Sequence, residues 1–169
     1  ATAYMDSIPL VAITGQVNSE LLGRDVFQEA DITGACEPFT KHSYLVKHAK
    51  DLPRVFKEAF HIASTGRPGP VLIDVPVDVQ QEEIEEFHYP EKAAIIGYKP
   101  RTQGHAIQIR KALEAIEKAQ RPIICCGGGV VLAGAREELV AFARSSGIPV
   151  CATMMGIGVM PMHSPVYLG

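Results

Sequence analysis

Residues 66–76 constrain the fold most, because the chain must change there from helix to strand within a few residues. They read Gly-Arg-Pro-Gly-Pro and then Val-Leu-Ile-Asp-Val-Pro. Glycine accepts the left-handed backbone that ends many helices, and proline cannot continue a helix. The apolar, β-branched run that follows is typical of a strand buried on both faces in a parallel sheet. We therefore expect an α/β protein.

A helix is predicted directly before this segment. Apolar residues recur at helical spacing over residues 52–65, Asp51 is a suitable N-cap, and Pro53 falls in the first turn. A buried strand is predicted at residues 8–14, with residues 15–18 breaking it, and a further strand is predicted at residues 38–46. Residues 1–80 thus predict the order strand, strand, helix, strand.

The second half of the chain predicts a βαβ unit with a glycine-rich loop. A helix is expected at 106–118, a strand at 122–126, then Gly127, Gly128 and Gly129, a helix around Leu139, and a strand at 148–153. Ligands commonly bind at such a loop, where bare backbone N–H groups can face a phosphate. The glycine spacing differs from Gly-x-Gly-x-x-Gly and no acid ends the second strand, which disfavours an ordinary NAD site. A nucleotide bound through its diphosphate and a simple tight turn both stay open.

The composition changes between these two halves. Residues 81–104 are rich in charge and proline and have no periodicity, which indicates a linker. The expected organisation is a first domain at 1–82, a linker at 83–104 and a second domain at 105–169. The acidic run in the linker predicts a solvated face, because hard-metal sites need carboxylates from converging elements. We predict no metal ligands in this chain.

Charge and hydropathy exclude some partners. The net charge of -3 gives no basic surplus for nucleic acid or for an anionic membrane, and no apolar run approaches the roughly 20 residues of a membrane span. The four cysteines lack metal-ligand spacing. We expect them to be reduced core residues of a cytoplasmic protein.

Five side chains outside the glycine loop are candidates for chemistry. Arg67 is a rigid planar cation on a Gly/Pro frame, which suits a phosphate or carboxylate, although a solvated arginine is the alternative. Phe27 and Gln28 lie in an aperiodic acidic stretch, where a surface loop anchored by Phe27 is the alternative. Lys41 and His42 would face opposite ways on a strand, so at most one of them joins a given site.

Several motifs together resemble one enzyme family. They are Ile-Thr-Gly-Gln-Val at 13–17, Asp-Val-Phe-Gln-Glu-Ala-Asp at 25–31, Thr-Lys-His at 40–42, Gly-Arg-Pro-Gly-Pro at 66–70, the three glycines, and Thr-Met-Met-Gly-Ile-Gly at 153–158. Their order and spacing are similar to those of the large, catalytic subunit of acetolactate synthase (acetohydroxyacid synthase), a thiamine-diphosphate enzyme. The resemblance covers essentially the whole chain.

The resemblance implies parts of two parallel-sheet, three-layer domains. Residues 1–82 would be the later half of the pyrimidine-binding domain, and residues 105–169 the first half of the Rossmann-like middle domain. The truncated appearance of both ends agrees with a piece of a longer subunit. The glutamate that activates thiamine diphosphate, and the diphosphate and Mg²⁺ ligands, would lie outside this piece. The isolated fragment is therefore predicted to be inactive.

The resemblance also implies an activity, partners and site residues. Pyruvate would be decarboxylated and joined to a second 2-oxo acid, pyruvate or 2-oxobutyrate, for branched-chain amino-acid synthesis. A homodimer or homotetramer and a regulatory small subunit are implied. Phe27 and Gln28 match positions that line the active site, and Lys41 matches a position near its mouth. Positions that match FAD-binding residues of the family are Arg67, Gly127, Gly128, Gly129, Thr153, Met154 and Met155.

One departure from the family pattern concerns the substrate. The family usually reads Asp-x-Pro-Lys-Asp where this chain reads Asp-Val-Pro-Val-Asp, so Val77 replaces a lysine at the active-site entrance. This change favours, as an alternative, a sister enzyme such as a glyoxylate carboligase or a pyruvate oxidase. A non-catalytic nucleotide-binding module is a further alternative for the isolated fragment.

Overall fold

The computed structural model describes residues 1–169, which form two compact units, Ala1–Gln103 and Gly104–Gly169. Each unit has a sheet of parallel strands connected through helices, which confirms the predicted α/β class. No helix is both long and apolar enough to cross a membrane. The exact domain and linker boundaries stay a prediction.

The first unit is built around one central strand. Its sheet contains β1 (Leu10–Gln16), β2 (His42–Leu45) and β3 (Pro70–Pro76) in the order β1-β3-β2, all parallel. Every residue of β3 is buried, as its unbroken apolar run predicts. The helices of this unit are α1 (Thr2–Met5), α2 (Ile32–Cys36), α3 (Leu52–Ser64) and α4 (Val77–Gln81).

Helix α3 covers the sheet of the first unit. Its apolar face, including Val55, Ala59 and Ile62, joins the same core as Val71 and Ile73 of β3. Gly66 follows the helix with a φ of +62°, the left-handed conformation predicted for it. The 66–70 segment therefore turns the chain from α3 into β3 as the sequence indicates.

Several predicted boundaries in this unit are wrong. Strand β1 continues through Gly15 and Gln16, which were expected to break it, because both residues pair in register with the end of β3. β1 is also half-exposed and not buried, since it pairs only on its β3 side. β2 begins at His42, because the residues before it form a 3-10 turn at Glu37–Phe39.

The start of α3 also differs from the prediction. Asp51 makes no side-chain cap hydrogen bond, because it already has helical backbone angles at the end of a 3-10 turn, Ala49–Asp51. Its carboxylate instead pairs with Arg54 at 3.4 Å. The helix is therefore continuous with the preceding turn.

The second unit contains α5 (Ala106–Lys118), β4 (Ile124–Cys126), α6 (Gly128–Leu132), α7 (Arg136–Ser146) and β5 (Val150–Ala152). β4 and β5 pair in parallel, and their buried side chains pack with Ala143 of α7 and with Val159 and Met160. Helix α5 forms where predicted, but none of its residues is buried.

The cysteines are free thiols in unlike surroundings. Cys126 is buried at 3% exposure, whereas Cys125 is exposed and Cys36 and Cys151 are half-buried. Cys125 and Cys126 are adjacent in β4 and differ in exposure, as side chains on opposite faces of a strand do. The expectation that all four are core residues is wrong, because the face of β4 opposite to Cys126 is uncovered.

The segment predicted as a linker has no helix or strand after α4, yet it is attached to the first unit. Ile84, Ile95 and Tyr98 pack against the core of that unit. The Tyr98 hydroxyl donates to the Thr65 carbonyl oxygen at 3.0 Å, and its ring meets His61 edge to face. This polar cluster lies at the carboxyl end of α3.

Lys41 completes the same cluster. Its Nζ donates to the carbonyl oxygens of Ile62 and Thr65, the latter at 2.7 Å, and lies 3.2 Å from the Tyr98 hydroxyl. The last carbonyl groups of a helix have no partners within the helix and carry partial negative charge. Lys41 therefore stabilises the end of α3.

Asp74 is the polar residue at the centre of the first sheet. Its side chain accepts hydrogen bonds from Thr14 Oγ1 at 2.7 Å and from Gln16 Nε2 at 3.0 Å. The residue is only 1% exposed. A buried carboxylate needs such partners, because water cannot satisfy it. The two donors on β1 thus offset the cost of burying the Asp74 carboxylate in β3.

We expect Asp74→Ala to destabilise the protein by about 1–3 kcal/mol, because it leaves two donors on β1 without their acceptor. The measurement is urea unfolding followed by circular dichroism. Asp6→Ala is the matched control, since Asp6 is exposed and its carboxylate makes no hydrogen bond. Equal loss in both variants would contradict the structural role of Asp74.

We expect Lys41→Met to lower the free energy of unfolding by about 1–3 kcal/mol, because charge-assisted hydrogen bonds to the end of α3 are lost. Lys47→Met, at an exposed position, is the control and should change stability little. Urea unfolding of both variants decides the point. If Lys41→Met is as stable as the unchanged protein, Lys41 does not stabilise the end of α3, and ligand binding would be its remaining role.

Candidate functional site

A tightly turned loop precedes α2 and carries two of the predicted site residues. Asp25 and Gln28 have left-handed φ values of +54° and +63°, which side chains other than glycine rarely adopt. The Glu29 carboxylate accepts the backbone N–H of Gly23 and, at 3.1 Å, that of Val26. These bonds lower the pKa of Glu29 and hold the loop in its strained form.

The loop presents Phe27 and Gln28 outward. Phe27 is 88% exposed and Gln28 is also exposed. Phe27 therefore does not anchor the loop within this chain, which removes that alternative. An aromatic side chain held outward on an internally bonded loop is suited to contact a ligand or another surface.

The loop ends at Asp31, which precedes α2 and lines an open cleft. Asp31 caps the helix by accepting from the Gly34 N–H at 2.8 Å and from Thr33 Oγ1 at 3.0 Å, and these bonds lower its pKa. The cleft has a volume of about 410 Å³. Its lining residues are Asp31, Thr33, Gly34, Glu37, Thr40, Lys41, His42 and Ser43.

Lys41 contributes to the wall of this cleft, but its ammonium group is engaged elsewhere. The Nζ atom bonds the end of α3 and Tyr98, as described above. Its aliphatic stem lies close to Gly69, because a Cβ at Gly69 would be 3.1 Å from Lys41 Cγ and Cδ. A role at the mouth of an active site stays a prediction for this residue.

Arg67 is also partly committed within the first unit. Its Nε donates to Ser7 Oγ at 2.9 Å, and its Nη2 donates to the Met5 carbonyl oxygen at 3.2 Å. The guanidinium lies 5.9 Å from the centre of the Tyr4 ring. These bonds leave the group exposed and fixed in orientation, so a further anion could still approach it.

The glycine loop packs closely against the turn that follows β5. A Cβ on Gly127 would lie 3.2 Å from Thr153 Oγ1, and a Cβ on Gly128 would lie 3.1 Å from Met155 Cβ. The Thr153 N–H donates to the Cys126 carbonyl oxygen at 2.9 Å. Four of the predicted residues therefore meet: the two glycines, the threonine and one methionine.

Gly129 differs from its two neighbours. No atom lies within 4 Å of the position where its Cβ would be, although it stands in the first turn of α6. Packing within this chain therefore does not require glycine there. Open space beside a bare backbone is the arrangement that close approach of a ligand needs.

Gly156 is a site residue that the sequence prediction did not include. A Cβ there would lie 2.4 Å from the Cys126 carbonyl oxygen, so only glycine lets the 3-10 turn Met154–Gly156 approach β4. The glycine after two methionines was a visible signal. Its partner could not be read from the sequence, because Cys126 is distant along the chain.

Apolar side chains project around this loop. Met154 is 84% exposed, Ile157 is 71% exposed and Met155 is 47% exposed. Exposed apolar groups gathered at one place commonly mark a binding surface, and methionine adapts its shape to flat ligands. Ile157 was not among the predicted residues, although it lies in the same motif.

The predicted residues fall into separate groups. Phe27 and Gln28 lie in one loop of the first unit. Lys41 and Arg67 also belong to the first unit, but they lie outside this loop and have their own hydrogen-bond partners. The three glycines, the threonine and the two methionines are in the second unit. The FAD-binding role of Arg67 stays a prediction.

Val77, the residue that departs from the family pattern, begins α4 and is 41% exposed. Beside it, Asp78 accepts from both the N–H and the hydroxyl of Ser19, which lowers the pKa of Asp78. The acid is thus bound to the chain itself. The chain therefore has an exposed apolar side chain at the position where the resemblance leads us to expect a lysine.

Comparison with known proteins agrees with these motifs. Residues 109–169 match the family model of the thiamine pyrophosphate enzyme central domain. The acetolactate synthase large subunit of Corynebacterium glutamicum is 50% identical over 169 residues, which cover 100% of this chain and 27% of that protein. The corresponding subunit of Haemophilus influenzae is 46% identical over 99% of this chain and 30% of its own length.

A solved structure shows the same fold at lower identity. The crystal structure of benzoylformate decarboxylase from Polynucleobacter necessarius superposes with a TM-score of 0.82 at 23% identity, over 98% of this chain and 31% of that one. The chain thus spans less than a third of the length of the curated relatives described above. By its sequence, the chain is homologous over its whole length to acetolactate synthase large subunits, and its residues 109–169 match the central domain of the thiamine pyrophosphate enzymes.

Proposed function

We propose that this chain is part of the catalytic subunit of an acetolactate synthase. The complete enzyme would decarboxylate pyruvate and join the remaining two-carbon unit to a second 2-oxo acid, giving 2-acetolactate or 2-aceto-2-hydroxybutyrate. The observation that carries this proposal is the identity of about one residue in two with acetolactate synthase large subunits along the entire chain. Sister carboligases remain distinguishable by their products.

Thiamine diphosphate is the cofactor that the family relationship supports. When bound, it supplies the electron sink for decarboxylation and carbon–carbon bond formation. We propose that its activating glutamate and its Mg²⁺ ligands lie outside residues 1–169. Residues 1–169 alone are accordingly expected to form no acetolactate.

Phe27 and Gln28 are the residues of this chain that we assign to the active site. The exposed phenyl ring of Phe27 would exclude water from the reacting groups, which strengthens every polar interaction beside it. The Gln28 amide can donate a hydrogen bond to the carboxylate or carbonyl oxygen of a 2-oxo acid. The hydrogen bonds of Glu29 hold the loop backbone that carries both side chains before any ligand binds.

The second unit fits FAD, which we propose as a further cofactor. The open space at Gly129 admits close approach of a phosphate or ribitol to the backbone, and Thr153 offers a hydroxyl beside Gly127. Met154 and Met155 provide an adaptable apolar wall for a flat ring system. Arg67 in the first unit keeps its proposed role as an FAD-binding residue from the family resemblance alone, and its exposed guanidinium is oriented by Ser7 and Met5.

Val77 is expected to alter substrate handling without changing the reaction class. A lysine at an active-site entrance attracts anions such as 2-oxo acids, and valine removes that attraction. We propose pyruvate and 2-oxobutyrate as substrates, captured less efficiently than by relatives with the lysine. The words "large subunit" in the names of the relatives support a small regulatory partner, and we propose that the subunit is an oligomer.

The proposed activity is tested in a full-length polypeptide that carries residues 1–169. Pyruvate, thiamine diphosphate and Mg²⁺ are supplied with and without FAD, and acetolactate is measured. We expect acetolactate formation that requires FAD. Formation of tartronate semialdehyde from glyoxylate, or of acetyl phosphate from pyruvate and phosphate, without acetolactate would replace this proposal with a sister enzyme.

Two glycine variants in the same polypeptide separate binding from packing. Gly129→Ala should raise the free energy of unfolding by about 0.5–1 kcal/mol, because alanine favours a helix and meets no neighbour. It should nevertheless retain less FAD, because the methyl group blocks close approach. The measurements are urea unfolding and the FAD that remains bound after gel filtration.

Gly156→Ala should behave in the opposite way. Its Cβ would be forced against the Cys126 carbonyl oxygen, so the variant should be less stable whether or not FAD is present. A Gly129→Ala protein that retains FAD as fully as the unchanged protein would contradict the flavin role of this loop. Gly129 would then be an ordinary residue of a turn.

A further inference from the structure

Cys125 and Cys151 form a pair of thiols on one face of the second sheet. The two residues are direct partners in the parallel pairing of β4 with β5. Neighbours of this kind point their side chains to the same side of the sheet, about 5 Å apart along the hydrogen-bonding direction. Val150 and Cys126 flank the pair along the strands and lie on the opposite, buried face.

The two thiols are accessible and lie side by side on the sheet. Cys125 is exposed and Cys151 is half-buried, and neither forms a disulfide. The neighbouring Cys151 thiol raises the pKa of Cys125, and burial and Cys126 add smaller effects in the same direction. Side chains of directly paired residues on one face of a sheet are close enough for a single ligand atom to reach both sulfur atoms.

The other two cysteines do not share this arrangement. Cys126 is 3% exposed and points into the core with Val150. Cys36 belongs to the end of α2 in the first unit. A ligand that needs two sulfur donors on one rigid frame therefore has one suitable pair, which the proposed reaction does not use.

We propose that Cys125 and Cys151 form a vicinal dithiol site for soft, thiophilic centres that accept two sulfur donors, of which trivalent arsenicals are the clearest class. Sulfur ligands are selective for such soft centres. With phenylarsine oxide, two S–H bonds and the arsenic–oxygen bond break, two As–S bonds form, and one water leaves. Arsenic stays trivalent, so the condensation requires no oxidant or reductant.

Such a ligand would join β4 to β5 next to the glycine loop. Cys126 follows Cys125 directly and accepts from the Thr153 N–H at 2.9 Å. A bridge between the strands therefore constrains the chain immediately before Gly127 and Thr153. We expect the loaded chain to unfold at a higher temperature than the free chain, because the ligand binds only when both strands are in place.

The first experiment treats the reduced 169-residue chain with phenylarsine oxide and measures its intact mass. We expect one adduct per chain, with the mass of phenylarsine oxide less one water, that survives excess 2-mercaptoethanol and is removed by 2,3-dimercaptopropanol. Cys125→Ser and Cys151→Ser should each retain at least tenfold less adduct. Cys36→Ser is the matched control and should retain the adduct fully.

A second measurement needs no variant and so does not depend on how a variant folds. The loaded and free chains are alkylated with iodoacetamide, and the modified peptides are identified. We expect phenylarsine oxide to protect Cys125 and Cys151 together and to leave Cys36 reactive. Protection of only one thiol, protection of Cys36, or loss of the adduct to 2-mercaptoethanol would overturn the proposal.

Discussion

The complete burial of β3 is the constraint on which the first unit depends. Each backbone and side-chain polar group of a buried strand must find a partner in the protein. The two flanking strands bind its backbone, and Thr14 and Gln16 satisfy the Asp74 carboxylate. This requirement sets the register of β1, because a shift by one residue would remove both donors from Asp74.

The same network extends to the loop that carries Phe27. Gln16 donates from one Nε2 atom both to Asp74 and, at 2.7 Å, to the Ala30 carbonyl oxygen. The Glu29 carboxylate then fixes the loop backbone from inside. An exposed aromatic side chain is thus supported by a continuous path of hydrogen bonds from the buried sheet, which accounts for a loop that is both strained and defined.

In the second unit, the structure depends on the close approach of backbone segments at glycine residues. Gly156 lets the turn after β5 pack against the end of β4. Thr153 and Met155 pack closely against Gly127 and Gly128. Packing requires glycine at position 156 and leaves little space at positions 127 and 128, whereas Gly129 has free space beside it. The three consecutive glycines therefore combine two physical roles: two of them close the loop, and the last leaves the backbone accessible.

Sequence alone determined the elements whose signals are local. Helical spacing located α3 and α5, the unbroken apolar run located β3, and the motifs indicated the enzyme family, because each signal lies within a few neighbouring residues. Tertiary structure decided the rest: the continuation of β1 through Gln16, the binding of Lys41 to the end of α3, and the pairing of Cys125 with Cys151. These features depend on partners far apart along the chain, and local propensity carries no information about which distant residue a side chain will meet.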